Sequence, residues 1–77
     1  MSVKILFFGK LIDIIGTKEL YLSDFKDIFA LKNFLFKKYP ELNQETIIIT
    51  LNHEIIYENK NLKDGDEIAI LPPVSGG

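Results

Sequence analysis

The 77-residue chain contains no cysteine and no arginine, and only one histidine. Without cysteine there is no disulfide, thiolate nucleophile or cysteine-based metal site, and redox chemistry is silent about compartment. Without arginine the usual bidentate reader of phosphate is missing. Excess charge of either sign is lacking too. Nine lysines against eleven Asp and Glu leave a net charge of −2, with both signs interspersed, so no basic footprint for nucleic acid or an anionic membrane stands out. Long apolar runs are absent as well. Ile5-Leu6-Phe7-Phe8 is short, follows Lys4 and lacks a cleavage motif, so it reads as a strand and not as a signal peptide. No stretch approaches the roughly 18 apolar residues that span a bilayer. The expectation is a cytoplasmic protein with no nucleic-acid and no membrane partner.

What is present is a globular composition. Apolar residues make up 47% and charged residues 26%, and six phenylalanines with many Ile and Leu supply a core without metal or disulfide staples. A chain this short is one domain, because small domains bury only about 60% of the surface exposed on unfolding. It has little room for an internal catalytic cleft.

Val3 to Phe8, β-branched and aromatic and followed by Gly9, predicts a first strand. Alternation puts Val3, Ile5 and Phe7 on one face and Lys4, Leu6 and Phe8 on the other, and both faces carry bulk. Leu11 to Ile15 suits a short helical turn ending at Gly16. Lys18 to Leu22 alternates as a second strand, antiparallel to the first across a long loop. Asp27 is the expected N-cap of a helix from Ile28 to Lys38, with an apolar stripe of Ile28, Leu31, Phe34 and Leu35 and with Lys37 and Lys38 at the end where the macrodipole favours cations. Tyr39-Pro40 stops it. Ile47 to Leu51 predicts a third strand, Asn52-His53 a tight turn, and Ile55 to Tyr57 a short returning strand. Gly65, between Asp64 and Asp66, tolerates positive φ, and Glu67 to Leu71 forms the last strand before Pro72-Pro73. The order β-β-α-β-β-β predicts an α+β fold: one mixed sheet with one main helix on one face.

The other face has no second helix to cover it. If the first and last strands are neighbours, Leu6, Phe8, Ala69 and Leu71 make an uncovered apolar area at the base of the tail, and such patches mark interaction sites. The tail has the least structural excuse. Pro72 and Pro73 stiffen its base, and Gly76 and Gly77 lack Cβ atoms, so Val74, Ser75 and Gly76 can thread a narrow channel that presents Gly77. Six residues from Pro72 to Gly77 reach up to about 20 Å. The functional group of such a tail would be the Gly77 carboxylate. It is inert until adenylated by ATP, after which sulfur transfer to the acyl carbon gives a thiocarboxylate. On composition alone an ordinary frayed terminus is the more common reading of such an ending.

Ile5-Leu6-Phe7-Phe8-Gly9, Gly16-Thr17, Leu62 to Ala69 and Leu71-Pro72-Pro73-Val74-Ser75-Gly76-Gly77 together resemble the small-subunit family of molybdopterin synthase, ubiquitin-like sulfur carriers of the β-grasp fold. The resemblance implies a β-grasp domain over residues 1–71 with a flexible Gly-Gly tail over 72–77. It implies that Gly77 is adenylated, with ATP used by a ubiquitin-activating-type adenylyltransferase, and thiocarboxylated. It further implies that the tail enters the large subunit of molybdopterin synthase and passes sulfur to cyclic pyranopterin monophosphate. No cofactor is bound by the carrier itself, whose catalytic partners lie on the large subunit. The family's apolar subunit interface carries over to Phe8, Ile55 and Leu71. Relatives often have a basic residue before an acidic one after the first strand, where this chain has Ile12-Asp13. Three other readings stay open: the sulfur carrier of thiamine biosynthesis, a ubiquitin-like protein modifier joined through Gly77, and an interaction module with an idle tail.

The remaining polar residues read as structural. His53, alone between Asn52 and Glu54, is a solvated turn residue, since a lone histidine makes neither a metal set nor a triad. Asp64, Asp66 and Glu67 lack the ligand spacing of a calcium loop, so no metal is expected. Ser75 has no base partner.

Overall fold

In the computed structural model, which describes residues 2–73, the predicted elements form one five-stranded mixed sheet. Strand β1 (Ser2–Phe7) pairs antiparallel with β2 (Glu19–Ser23) and parallel with β5 (Glu67–Leu71). On its other side β5 pairs antiparallel with β3 (Ile48–Leu51), which pairs with β4 (Glu54–Ile56), so the order is β2-β1-β5-β3-β4. The condition placed on the first and last strands is met, and β1 and β5 are neighbours at the centre.

Register sorts the side chains into rows. One row runs Phe7, Ile70, Ile49, Ile56, and the next runs Leu20, Ile5, Ile68, Leu51. These form the core face, where Ile5, Phe7, Ile68 and Ile70 are buried against Ile28, Leu31 and Leu35 of helix α2 (Ile28–Lys38). Alternation within β1 and β5 therefore assigned the core correctly. A short helix α1 (Leu11–Ile15) crosses between β1 and β2 and ends at Gly16, whose φ of 93° lies in the left-handed region that favours glycine.

Several boundaries differ from the sequence expectation. β1 ends at Phe7, because Gly9 turns the chain with φ of 59° and the Phe8 carbonyl accepts from the Leu11 N–H as α1 begins. Ile47 and Tyr57, expected within strands, fall just outside β3 and β4. After Tyr39-Pro40 the chain makes an unforeseen 3-10 turn over Pro40–Gln44. That turn exists to plug the core: it delivers Leu42, fully buried, under the end of α2.

The start of α2 is fixed by three acceptors. Asp27 Oδ1 accepts from the Ala30 N–H at 2.9 Å, Asn59 Oδ1 from the Phe29 N–H at 2.9 Å, and the Lys60 carbonyl from the Ile28 N–H at 2.9 Å. Three of the four N–H groups orphaned by a helix start are thus satisfied. The Ala30 N–H, with Asn59 beside it, holds the Asp27 carboxyl below its ordinary range. Its contribution to stability is therefore complete above the unfolded aspartate value and is lost as pH falls through the lower folded value. The thermal midpoint of Asp27→Ala is expected to lie below that of the parent near neutrality, with the gap narrowing in acid. A gap unchanged down to about pH 2 would show that the charge of the cap contributes nothing.

Candidate functional site

Opposite the core, the sheet face is bare. Its central row runs Glu19, Leu6, Ala69, Thr50, Ile55 across all five strands, and Ile48 stands opposite Leu71 in the row beyond. Phe8 follows in the parity of Leu6 and is 42% exposed, and Ile55 is 52% exposed. Leu6, Ala69 and Leu71 are half-buried. Toward the start of β1 the same face becomes polar, with Lys4 opposite both Tyr21 and Glu67 and its ammonium 3.6 Å from Glu19. The apolar half therefore lies at the end where β5 leaves the sheet.

All five residues named from the sequence as a docking face, Leu6, Phe8, Ile55, Ala69 and Leu71, lie on this one surface. Sequence reasoning missed Ile48 and Thr50. Within Ile47-Ile48-Ile49-Thr50-Leu51 every residue suits a strand interior, so no alternation of polarity revealed which members face the helix.

The exit of the tail is set by a close approach. Pro72 packs on the turn after β1, where a Cβ built on Gly9 would stand 3.1 Å from Pro72 Cγ. The missing Cβ lets the two segments touch, which seats Pro72 beside the apolar half. Pro72 is half-buried there and Pro73 is exposed. Val74, Ser75, Gly76 and Gly77 lie outside the described residues, so the proposed reactive carboxylate and the last tail-threading residues carry no geometry here.

The far end of the face is stiffened by the β3–β4 turn. Asn52 and His53 both have positive φ, 50° and 75°, the backbone required by the tightest hairpins. The Asn52 amide donates to Asp66 Oδ1 at 3.0 Å and its Oδ1 accepts from the Glu67 N–H at 3.0 Å. Asp66 Oδ2 accepts from the Lys63 N–H at 2.7 Å, and Asp64 Oδ1 from the Ser2 N–H at 2.7 Å. The acidic cluster is thus a set of turn braces more than a group of solvated carboxylates. His53 is largely exposed and stands 3.7 Å from Glu67. Among the described residues no group of three or more His, Asp or Glu could hold a metal ion. Nothing in this arrangement assembles a nucleophile with a base. What the described residues offer is an open apolar face with Pro72 seated beside it.

Comparison with known proteins agrees with that form. Residues 5–77 match the model of the ThiS family. A molybdopterin synthase sulfur carrier subunit from Chlamydomonas reinhardtii is 35% identical over 83 aligned positions that cover 100% of both chains. Among solved structures, a chain from the Helicobacter pylori complex of subunits 1 and 2 of molybdopterin-converting factor is 34% identical, with a TM-score of 0.77 and full coverage of both chains. The small archaeal modifier protein 1 of Methanosarcina acetivorans is also 34% identical, with a TM-score of 0.82 over 99% of this chain and 96% of that one.

Proposed function

The chain belongs to the ThiS family, and on that premise we propose that it is the sulfur carrier subunit of a molybdopterin synthase. The observation that carries the reading is the placement of the apolar half of the sheet, with Leu6, Phe8, Ile55, Ala69 and Leu71, beside the Pro72 exit. A carrier needs a surface that docks and an end that reaches. The described residues supply the surface, and the sequence from Pro72 to Gly77 is suited to be the end.

The chemistry falls to Gly77. An activating enzyme of the adenylyltransferase type binds ATP, and the Gly77 carboxylate attacks the α-phosphorus, expelling pyrophosphate and giving an acyl-adenylate. A sulfur nucleophile then displaces AMP at the acyl carbon and leaves the thiocarboxylate. Docked on the large subunit, with Val74 to Gly76 threaded toward its active site, that sulfur passes to cyclic pyranopterin monophosphate. Loss of the sulfur and addition of water return the carboxylate. A dithiolene holds two sulfur atoms, so each product molecule requires two carrier turnovers. In this reading the carrier works in the cytoplasm; among the described residues no helix is long and apolar enough to cross a membrane.

The docking face supplies the direct test. Phe8→Ala and Leu71→Ala are each expected to weaken binding to the large subunit by about 1–4 kcal/mol, the range for an apolar anchor at the centre of an interface. Unchanged affinity in both, measured by calorimetric titration, would move the interface elsewhere. Binding to thiazole synthase in place of the large subunit would transfer the carrier to thiamine biosynthesis.

A second reading follows from the likeness to a small archaeal modifier protein. An acyl-adenylate at Gly77 is electrophilic enough for a lysine amine as well as for sulfur, so the same end could form isopeptide bonds. A denaturing gel separates the two, because conjugates survive as covalent ladders and a thiocarboxylate makes none.

A further inference from the structure

The N-terminal turn of α2 and the β3–β4 hairpin leave an open groove of about 180 Å³ between them. Ile28, Ile49 and Ile56 line its inner part, with Phe29, Lys32 and Tyr57 toward the outside. Two of these rings stand in solvent, Phe29 at 56% and Tyr57 at 92% exposure. The Lys32 ammonium lies 5.5 Å above the Phe36 ring, and among the described residues no carboxylate comes within ion-pair distance of it. Glu58 also lines the groove, but its carboxylate stands 3.6 Å from the Lys60 ammonium, so the apolar slot with Lys32 at its mouth remains complementary to an apolar side chain accompanied by a carboxylate.

The groove also adjoins an open sheet edge. β4 is the last strand in the order, so one side of Glu54–Ile56 has no strand partner among the described residues. Such an edge accepts an extended segment through main-chain hydrogen bonds. Side chains of an added strand alternate in direction. One set would point toward α2 and enter the groove beside Ile56, and the other would lie on the bare face beside Ile55. Ile48 and Ile55 belong to both surfaces, since each lines the groove and each stands in the rows of the open face. Groove and face are therefore one continuous surface folded around the β4 edge.

We propose that the β4 edge receives an extended segment of the large subunit, which seats an apolar side chain in the groove and a carboxylate against Lys32. This rests on the reading of the chain as a carrier that docks on that subunit. The segment would clamp the carrier from the edge opposite β2 and fix its rotation on the partner, a constraint that a flat apolar face does not supply by itself.

The test uses the full chain and the large subunit. Hydrogen exchange followed by mass spectrometry is expected to show amides of residues 54–58 slowed by about tenfold or more on complex formation, as main-chain pairing requires. Phe29→Ala and Lys32→Glu are each expected to weaken the complex about tenfold, and the Lys32→Glu effect should shrink in high salt. Lys37→Glu, the same charge change at an exposed position of α2, is expected to alter affinity by no more than about twofold. Thermal midpoints of the variants exclude unfolding as the cause. Unprotected β4 amides and unchanged affinity of Phe29→Ala and Lys32→Glu, in a complex that Leu71→Ala does weaken, would overturn the edge proposal and leave the carrier reading standing. Absence of any complex with the parent chain would overturn both. Protection that grows with the concentration of this chain alone would assign the edge to a second copy and overturn the proposal equally.

Discussion

Deleting Gly77, or adding one residue after it, is expected to abolish thiocarboxylation while leaving the fold intact. With the activating enzyme, ATP and a sulfur source, the intact mass of the parent chain should rise by about 16 Da, the exchange of one oxygen for sulfur at the acyl carbon. Neither altered chain should show that rise. One residue moves the terminal carboxylate by up to about 3.5 Å. Misplacement of a reacting atom by even about 1 Å can cost on the order of a hundredfold in rate. A residue other than glycine would also bring a Cβ into a channel that Gly76 and Gly77 leave open. The fold should not register the change. Among the described residues the last core side chain is Ile70, Leu71 closes the final ladder pair with Ile48, and Pro72 packs on Gly9. Thermal unfolding should thus stay within about 0.5 kcal/mol of the parent, as for changes remote from core and caps. Retention of the mass gain by the shortened chain would remove Gly77 from the chemistry.

How much of this was legible in the sequence varies with the kind of signal each segment carries. Helix α2 was readable to the residue, because its start is marked by a capping aspartate, its core face by Ile28, Leu31 and Leu35, and its end by Tyr39-Pro40. β5 was equally clear, bracketed by Gly65 at φ of 86° and by two prolines. The 3-10 turn was not readable. Leu42 is a single apolar residue among Pro, Glu, Asn and Gln, and one residue has no periodicity, although it is fully buried. The face assignment of β3 was hidden for a different reason, since the one polar residue of its run, Thr50, is itself a good strand former and gives too weak a polar phase to read. The proposed docking face was legible only as a condition on which strands are adjacent. Parallel pairing of β1 with β5 joins residues more than sixty positions apart, and nothing local in either strand encodes it. Phe29 was passed over because helical spacing puts it outside the core stripe, where a lone exposed apolar residue is ordinary. Its meaning comes from Tyr57 and Ile56 across the groove, which only the tertiary structure brings near.

Phe7→Ala is expected to destabilise the domain by about 3–5 kcal/mol, the range for truncating a buried phenylalanine. The side chain is 2% exposed and lies in the row with Ile70, Ile49 and Ile56, under helix α2. A domain of this length has a total stability of about 4–12 kcal/mol, so the loss consumes a large fraction of it. Chemical denaturation should show a midpoint shifted far to lower denaturant, and at the lower end of that range a substantial unfolded population without any denaturant. Its neighbour behaves in the opposite way. Phe8 is 42% exposed on the bare face, so Phe8→Ala should change stability by less than about 1 kcal/mol while weakening the complex with the large subunit. Two adjacent phenylalanines thus separate the two tasks of the chain. A strand points successive side chains to opposite sides, and on the proposed reading one side is committed to the fold while the other is kept for the partner. Equal loss of stability in both variants would mean that Phe8 is part of the core and that the apolar half of the sheet is not a free docking surface. Loss of binding in Phe8→Ala with an unshifted denaturation midpoint would establish the division of labour that the alternation within β1 predicts.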